Sequence, residues 1–99
     1  MKYVLIVIAS VCWILSCGRA PKADLVAGKQ TYLTYCQLCH GEDGKLGLND
    51  SKDLTKSVVS FEEAINQVTN GKGLMVPYKD ILTKEEISNV VHYVISMRE

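Results

Sequence analysis

Hydrophobic positions near residue 90 follow the period of an α-helix. They recur at i, i+3, i+4, i+7 and i+8, at Ile87, Val90, Val91, Val94 and Ile95. This spacing places them on one face of a helix. Thr83 and Glu86 precede the run with the spacing of a capping box. Leu82 and Ile87 flank the box as a hydrophobic staple. The pattern therefore predicts a helix here, although its β-branched residues would permit a strand.

Another helix is predicted in the middle of the chain, before the one just described. It begins after Ser60, because Ser60 and Glu63 form another capping-box pair. It ends at Gly71, since the residue after a helix often adopts left-handed dihedrals that glycine tolerates best. Its apolar side consists of Phe61, Ile65 and Val68.

A first helix is predicted to begin near Asp24, a residue type favoured at the N-cap. Its expected inner face carries Leu25, Gly28, Tyr32 and Cys36. Residues 41–53 and 71–80 are rich in loop-forming residues such as glycine, aspartate and proline. The fold is therefore predicted to be all-α, with three or four helices joined by long loops.

The first 16 residues differ in character from the rest. Lys2 precedes an apolar run over residues 3–15, in which Ser10 is the only polar residue after Tyr3. A short positive start followed by an apolar core of about 7–15 residues is typical of a secretory signal peptide. The run is shorter than the roughly 20 apolar residues of a transmembrane helix.

The end of this run, Ile14-Leu15-Ser16-Cys17-Gly18, resembles the lipobox of bacterial lipoproteins. The resemblance implies cleavage before Cys17, whose thiol would carry a diacylglyceryl group. Residues 1–16 would then be a signal peptide, 17–23 a lipidated tether and 24–99 the functional domain. An ordinary signal peptide with an incidental cysteine, or an uncleaved anchor, is the alternative, because Leu15 is bulkier than the residue commonest at its position.

Composition limits the possible functions of the domain. The chain has 99 residues, which is enough for one domain. Its 11 Lys and Arg residues balance its 11 Asp and Glu residues. A nucleic-acid surface would show a basic excess, so no nucleic-acid partner is expected. If the first 16 residues are removed, 83 remain, and Cys36 and Cys39 are the only cysteines besides Cys17.

The most specific chemical signal is Cys36-Gln37-Leu38-Cys39-His40. Two cysteines three apart followed at once by histidine mark c-type haem attachment. Positions i and i+3 on a helical turn face the same way, so both sulfurs can bond the vinyl groups of one haem. Two other interpretations are a redox disulfide, which lacks its usual βαβ setting, and a zinc site, for which only His92 remains as a fourth ligand.

From Leu25 to Met97 the chain resembles the class I cytochromes c, in particular the small bacterial c6 and c-551 types. Three features carry this resemblance in order: Gly28–Tyr32 leading into Cys36–Gly41, the loop Gly73-Leu74-Met75-Val76-Pro77-Tyr78, and Val90–Val94 in the last helix. In that family a glycine of the first helix packs against an aromatic residue of the last helix. Gly28 and Tyr93 match those two positions.

The resemblance implies one covalent haem c, attached through Cys36 and Cys39 and ligated by His40 and Met75. Met97, near the end of the last helix, is expected to be a core residue or part of a fraying terminus. In the family a proline carbonyl usually accepts the proton of the axial histidine, but this chain has Lys52 at the matching position. The partner of His40 is therefore open at this point.

These features together predict a one-electron carrier rather than an enzyme. The expected protein is a monomer, held by lipid on the extracytoplasmic side of a bacterial membrane, with redox proteins as donor and acceptor. The alternative is a haem-bearing subunit or sensor of an oxidase-type complex with an open or exchangeable sixth position. Lys45, Lys72 and Lys79 lie in loops near the expected haem edge, where ordinary solvated lysines are preferred over a docking patch. His92 is expected on the solvated surface.

Overall fold

The computed structural model describes residues 22–99, which include the whole predicted domain, 24–99. The predicted signal peptide over residues 1–16 and the lipidation at Cys17 lie outside the described residues. Helix α1 spans Leu25–Thr31, a π-helical segment spans Tyr32–Cys36, and the short helix α2 spans Gln37–His40. Helices α3 and α4 span Phe61–Asn70 and Lys84–Ser96. The described part contains no strand, so the all-α prediction is confirmed.

Two short 3₁₀ turns, Leu48–Asp50 and Leu54–Lys56, interrupt the loop between α2 and α3. The loop between α3 and α4 holds one isolated bridge, between Lys72 and Met75. Within residues 22–99, no helix has the length and apolarity needed to cross a membrane.

Side chains cap the helices much as the sequence predicts. Asp24 Oδ1 accepts a hydrogen bond from the backbone N–H of Ala27 at 2.9 Å. At α4 the capping box is complete, since Thr83 and Glu86 exchange bonds of 3.0 and 3.1 Å. At α3 the capping box has one of its two hydrogen bonds: the Ser60 hydroxyl accepts from the Glu63 N–H.

The predicted inner face of the first helix is only partly correct. Gly28 and Tyr32 are buried, whereas Leu25 is 48% exposed. Leu25 lies at the edge of the contact with α4, where Asn89 Oδ1 binds the backbone N–H of Asp24 instead. The π-helical segment then adds a wider turn, in which the N–H of Gln37 bonds the carbonyl of Tyr32.

The core lies where α1 crosses α4. Its buried hydrophobic residues are Tyr32, Leu82, Ile87, Val90 and Val91. Gly28 permits the close approach, because a Cβ built there would overlap the carbonyl oxygen of Asn89 and lie 3.0 Å from Tyr93 Cβ. The rings of Tyr32 and Tyr93 pack with centroids 5.4 Å apart. The expected pairing of Gly28 with Tyr93 is thus confirmed.

Candidate functional site

Both cysteines of the motif lie in the helical run between α1 and the following loop. Cys36 ends the π-helical segment, and Cys39 and His40 form the end of α2. Both are free thiols and both are partly buried. They are therefore unpaired and available for covalent attachment of a group beside this turn.

The chemistry of Cys36 disfavours a redox disulfide. Burial, with the nearby Cys39 as a smaller cause, raises the pKa of the Cys36 thiol to about 11. A disulfide-exchange cysteine needs a lowered pKa, because the thiolate is the nucleophile. The zinc interpretation also lacks support, since residues 22–99 contain no group of three or more potential metal-binding His, Cys, Asp or Glu side chains.

His40 has a defined hydrogen-bond partner on its Nδ1 side. The Nδ1 atom lies 3.1 Å from the carbonyl oxygen of Lys52, so Nδ1–H is the donor. This tautomer leaves the lone pair of Nε2 free to bind a metal. The backbone carbonyl of Lys52 therefore takes the role that the sequence left open, and it does so without the proline usual at this position.

Tyr32 connects the buried core to the residue that follows His40. Its hydroxyl donates a hydrogen bond to the carbonyl of Gly41 at 2.5 Å. The sequence placed Tyr32 in the core but gave its hydroxyl no role. The available signal was its position four residues before Cys36, one helical turn from the motif. The bond fixes the end of the turn that carries His40.

Tyr32→Phe is expected to lower the free energy of unfolding at neutral pH by about 1–2 kcal/mol, because the partly buried carbonyl of Gly41 loses its donor. Burial is the main cause that raises the pKa of Tyr32 to about 12 from 10.0. Between these values the unfolded chain releases the phenolic proton and the folded chain keeps it, so stability falls as pH rises. Urea unfolding at pH 7 to 12 should show this loss in the parent protein and a weaker one in the variant.

Tyr35→Phe is the matched control, because the Tyr35 side chain is 38% exposed and the Tyr78 hydroxyl bonds only its backbone carbonyl. It should retain the alkaline profile of the parent. An unchanged profile in Tyr32→Phe would contradict the assigned role of the Tyr32 hydroxyl.

Met75 lies in a tightly turned loop. Lys72 and Met75 exchange two backbone hydrogen bonds of 3.0 and 3.1 Å. Gly71 has a positive φ of 76° and its built Cβ would lie 3.0 Å from the nitrogen of Pro77. The loop then returns to α3, where the N–H of Tyr78 bonds the carbonyl of Val68 at 3.0 Å. These contacts give the Met75 backbone a fixed position.

Tyr78 joins the Met75 loop to the cysteine-bearing segment. Its hydroxyl donates to the carbonyl of Tyr35 at 3.3 Å, and the two rings pack edge to face with centroids 5.8 Å apart. Burial, and after it the nearby Cys36 and Cys39, raise the pKa of Tyr78. The structure therefore brings the Met75 loop next to the cysteines, while ligation by Met75 stays a prediction.

The surroundings of the motif fit a large apolar group. The motif and the loops on either side of it expose large apolar side chains: Leu38, Leu46, Leu48, Leu74 and Val76, with exposed fractions from 50% to 77%. An apolar ring system between these loops would remove such surface from water, which is favourable. Two free thiols on one turn and an imidazole with a free Nε2 are the donor set that attaches and ligates a haem.

Three peripheral expectations have different outcomes. His92 is half-buried and stacks on Phe61 with ring centroids 4.5 Å apart, so its assignment to the solvated surface was wrong. The reason is that Phe61 begins α3 directly against α4. Lys45 forms an ion pair of 3.0 Å with Glu99, which weakens the case for its membership in a lysine docking patch. Met97 is half-buried beside Gly44, as a packing residue should be.

Comparison with known proteins gives consistent matches over most of the chain. A family model described as cytochrome c oxidase, cbb3-type, subunit III matches residues 23–94. Cytochrome c6 of Rippkaea orientalis is 38% identical over 82 residues, which cover 77% of this chain and 73% of that protein. Cytochrome c6 of Leptolyngbya boryana is 34% identical over 83 residues, covering 78% and 96% of the two chains.

Solved structures agree with these sequence matches. The KustC0563 c-type cytochrome superposes with a TM-score of 0.65 at 30% identity, covering 73% of this chain and 98% of that one. Cytochrome c6 from the diatom Phaeodactylum tricornutum gives a TM-score of 0.60 at 29% identity, with coverages of 74% and 92%.

Proposed function

The chain belongs to the c-type cytochromes, and from this premise we propose that it is a cytochrome c6-like carrier that passes single electrons between redox proteins at a bacterial membrane. It is an electron-transfer protein rather than an enzyme, and its cofactor is one covalent haem c. The observation that carries the proposal is the His40 geometry, with Nδ1 held by Lys52 and Nε2 left free at the end of a Cys-x-x-Cys turn.

Each site residue has a separate task. Cys36 and Cys39 would hold the haem through thioethers, and His40 and Met75 would be the ligands to its iron. The haem iron supplies the ferric–ferrous couple when bound. The hydrogen bond to Lys52 fixes the His40 ring and makes it a more basic ligand. The soft thioether of Met75 would favour the ferrous state and raise the reduction potential. With both positions filled by protein, no open site would remain for a substrate.

The N-terminal side of the domain supports attachment close to a membrane. The backbone N–H of Asp24 is held by Asn89 Oδ1 at 3.0 Å, so the tether leaves the domain at a fixed point on α4. Seven residues, 17–23, separate a lipidated Cys17 from this point and span at most about 25 Å when extended. The domain would therefore stay on the extracytoplasmic face, within short reach of membrane redox complexes.

A second candidate function is favoured by the family match itself. The model that matches residues 23–94 describes a subunit of a cbb3-type oxidase. The same haem domain would then be docked permanently in an oxidase-type complex. The two functions differ in what accompanies the protein after mild detergent extraction: a free carrier elutes alone, whereas a subunit elutes with the other subunits of an oxidase.

The haem attachment is tested on protein purified from membranes. Acid–acetone extraction should leave the haem absorbance with the polypeptide, because thioethers survive it. Haem that moves into the acetone would refute attachment at Cys36 and Cys39. A Cys36→Ala, Cys39→Ala double variant is the control and should release any haem that it binds.

Mass spectrometry of the same preparation tests the anchor. The expected N-terminal residue is Cys17 with a diacylglyceryl group, and Cys17→Ser should move the protein from the membrane to the soluble fraction. An unmodified Cys17 within a longer chain would refute the lipoprotein assignment but leave the electron-carrier function unaffected.

A further inference from the structure

Two residues that follow α4 are fastened to the loop between α2 and α3. The backbone N–H of Glu99 donates to the carbonyl of Thr55 at 2.9 Å, and the guanidinium of Arg98 donates to the carbonyl of Val59 at 2.7 Å. The Glu99 carboxylate pairs with Lys45 at 3.0 Å. Within the described part of the chain, Arg98 Nε is buried without a partner, so this placement costs free energy. We call Arg98 and Glu99 the clamp.

The clamped segment is an ordered turn directly after Lys52. Asp53 Oδ1 accepts from both the N–H and the hydroxyl of Thr55, at 3.0 and 2.6 Å. The N–H of Leu54 bonds the carbonyl of Gly44 at 2.9 Å. Thr55 is only 2% exposed. The turn is therefore held by its own Asp53, by Gly44 and by Glu99 of the clamp.

Lys52 itself does little to fix the direction of its backbone carbonyl. Its side chain is exposed, and lysine leaves φ free where proline would lock it. The direction of the carbonyl therefore depends on its neighbours: Ser51, whose N–H and hydroxyl both bond the Leu48 carbonyl, and the residues that follow, Asp53 to Thr55.

The clamp binds the carbonyl of Thr55, the last residue of this turn, through the Glu99 N–H, and Arg98 binds the same loop further on, at Val59. The Lys52 carbonyl that precedes the turn accepts the hydrogen bond from His40 at 3.1 Å.

We propose that Glu99 and Arg98 are positioning residues for His40: Glu99 holds the turn over Asp53–Thr55 at Thr55, and Arg98 holds the loop beyond it at Val59, so that the Lys52 carbonyl stays aligned with Nδ1–H. The proposal rests on the proposed function only in so far as His40 is an iron ligand. If the Lys52 carbonyl is less well aligned, its hydrogen bond from His40 weakens and the imidazole becomes a less basic ligand. A less basic ligand stabilises the ferric state less, so the reduction potential rises.

Arg98→Gln in the reduced holoprotein is the main test. NMR should show that the His40 Nδ1 proton exchanges with solvent about tenfold faster, since the hydrogen bond that protects it is weakened by roughly the worth of one such bond. The potential should rise relative to Lys84→Gln, which removes the same charge at the exposed start of α4. Loss of a positive charge alone lowers a potential, so a rise cannot come from the charge change.

Two further variants separate positioning from simple stability. Thr83→Ala removes the N-cap of α4 and should destabilise the protein without altering proton exchange at His40. Lys52→Pro, added to Arg98→Gln, should restore slow exchange, because Ser51 already has the extended dihedrals, −61° and 137°, that precede proline. Glu99→Gln should accelerate exchange less than Arg98→Gln does, and it is the fallback if Arg98→Gln fails to fold.

The proposal is overturned if exchange at His40 in Arg98→Gln equals that of the parent, or if Thr83→Ala accelerates it as much. Failure of the proposed function gives a different result. If His40 is not an iron ligand, exchange would still respond to Arg98→Gln, but the potential would match that of Lys84→Gln.

Discussion

Gly28→Ala is expected to destabilise the holoprotein by about 3 kcal/mol, although alanine is the better helix former. At an ordinary helical position this change would stabilise by about 0.5–1 kcal/mol. Here the added methyl group would overlap the backbone carbonyl of Asn89 and lie 3.0 Å from Tyr93 Cβ. A backbone carbonyl in the middle of α4 cannot rotate away, so the two helices must separate.

Gln30→Ala is the matched control, since it lies in the same helix but is exposed. Urea unfolding of both variants should show a large loss for Gly28→Ala and a change within about 0.5 kcal/mol for Gln30→Ala. Equal stability of Gly28→Ala and the parent would mean that the crossing is looser than its geometry indicates.

The crossing of α1 and α4 was predictable because local signals and packing agree there. Asp24 and Thr83 are strong N-caps, the apolar period of α4 is clear, and a glycine inside a helix calls for a close neighbour. Local sequence signals predict only part of the candidate site. The cysteine spacing identifies the attachment turn without any tertiary information, because both sulfurs lie on one helical turn.

Other parts depend on contacts between segments distant in sequence. The Lys52 carbonyl meets His40 through a loop whose shape is set by Asp53, Gly44 and Glu99. Because every residue has a backbone carbonyl, an acceptor of this kind cannot be recognised from the residue type. The sequence shows only that the usual proline is absent. His92 was misplaced for a similar reason, since Phe61 on another helix covers it. The π-helical segment likewise has no composition signal, because it changes the hydrogen-bond register and not the residue types.

The residues that stabilise the packed helices and the residues of the candidate site thus lie in different parts of the fold. The buried residues join α1 and α4, whereas the motif, the Lys52 loop and the Met75 loop surround the exposed apolar surface beside Cys36. A change in one loop can therefore alter the iron without unfolding the helices. Of the loop residues, Met75 has the largest predicted effect, since it is the proposed sixth ligand of the iron.

Met75→Ala is expected to lower the reduction potential by a few tenths of a volt, because axial ligands tune haem potentials over roughly 0.8 V and a thioether favours the ferrous state. It should also let the reduced protein bind carbon monoxide at neutral pH, which the parent with both axial positions filled should do poorly. The measurements are a spectroelectrochemical titration and a carbon monoxide difference spectrum.

Met97→Leu is the control, because it replaces the other methionine of the described chain, which packs beside Gly44. It should keep the potential of the parent and exclude carbon monoxide. If the parent itself binds carbon monoxide readily and Met75→Ala changes neither property, Met75 is not the sixth ligand. The open position would then favour a sensor or oxidase-type role over the simple carrier, while the attachment through Cys36, Cys39 and His40 would remain. Ligation by Met75 therefore separates a haem with both axial positions filled, as a simple carrier needs, from a haem with an open sixth position.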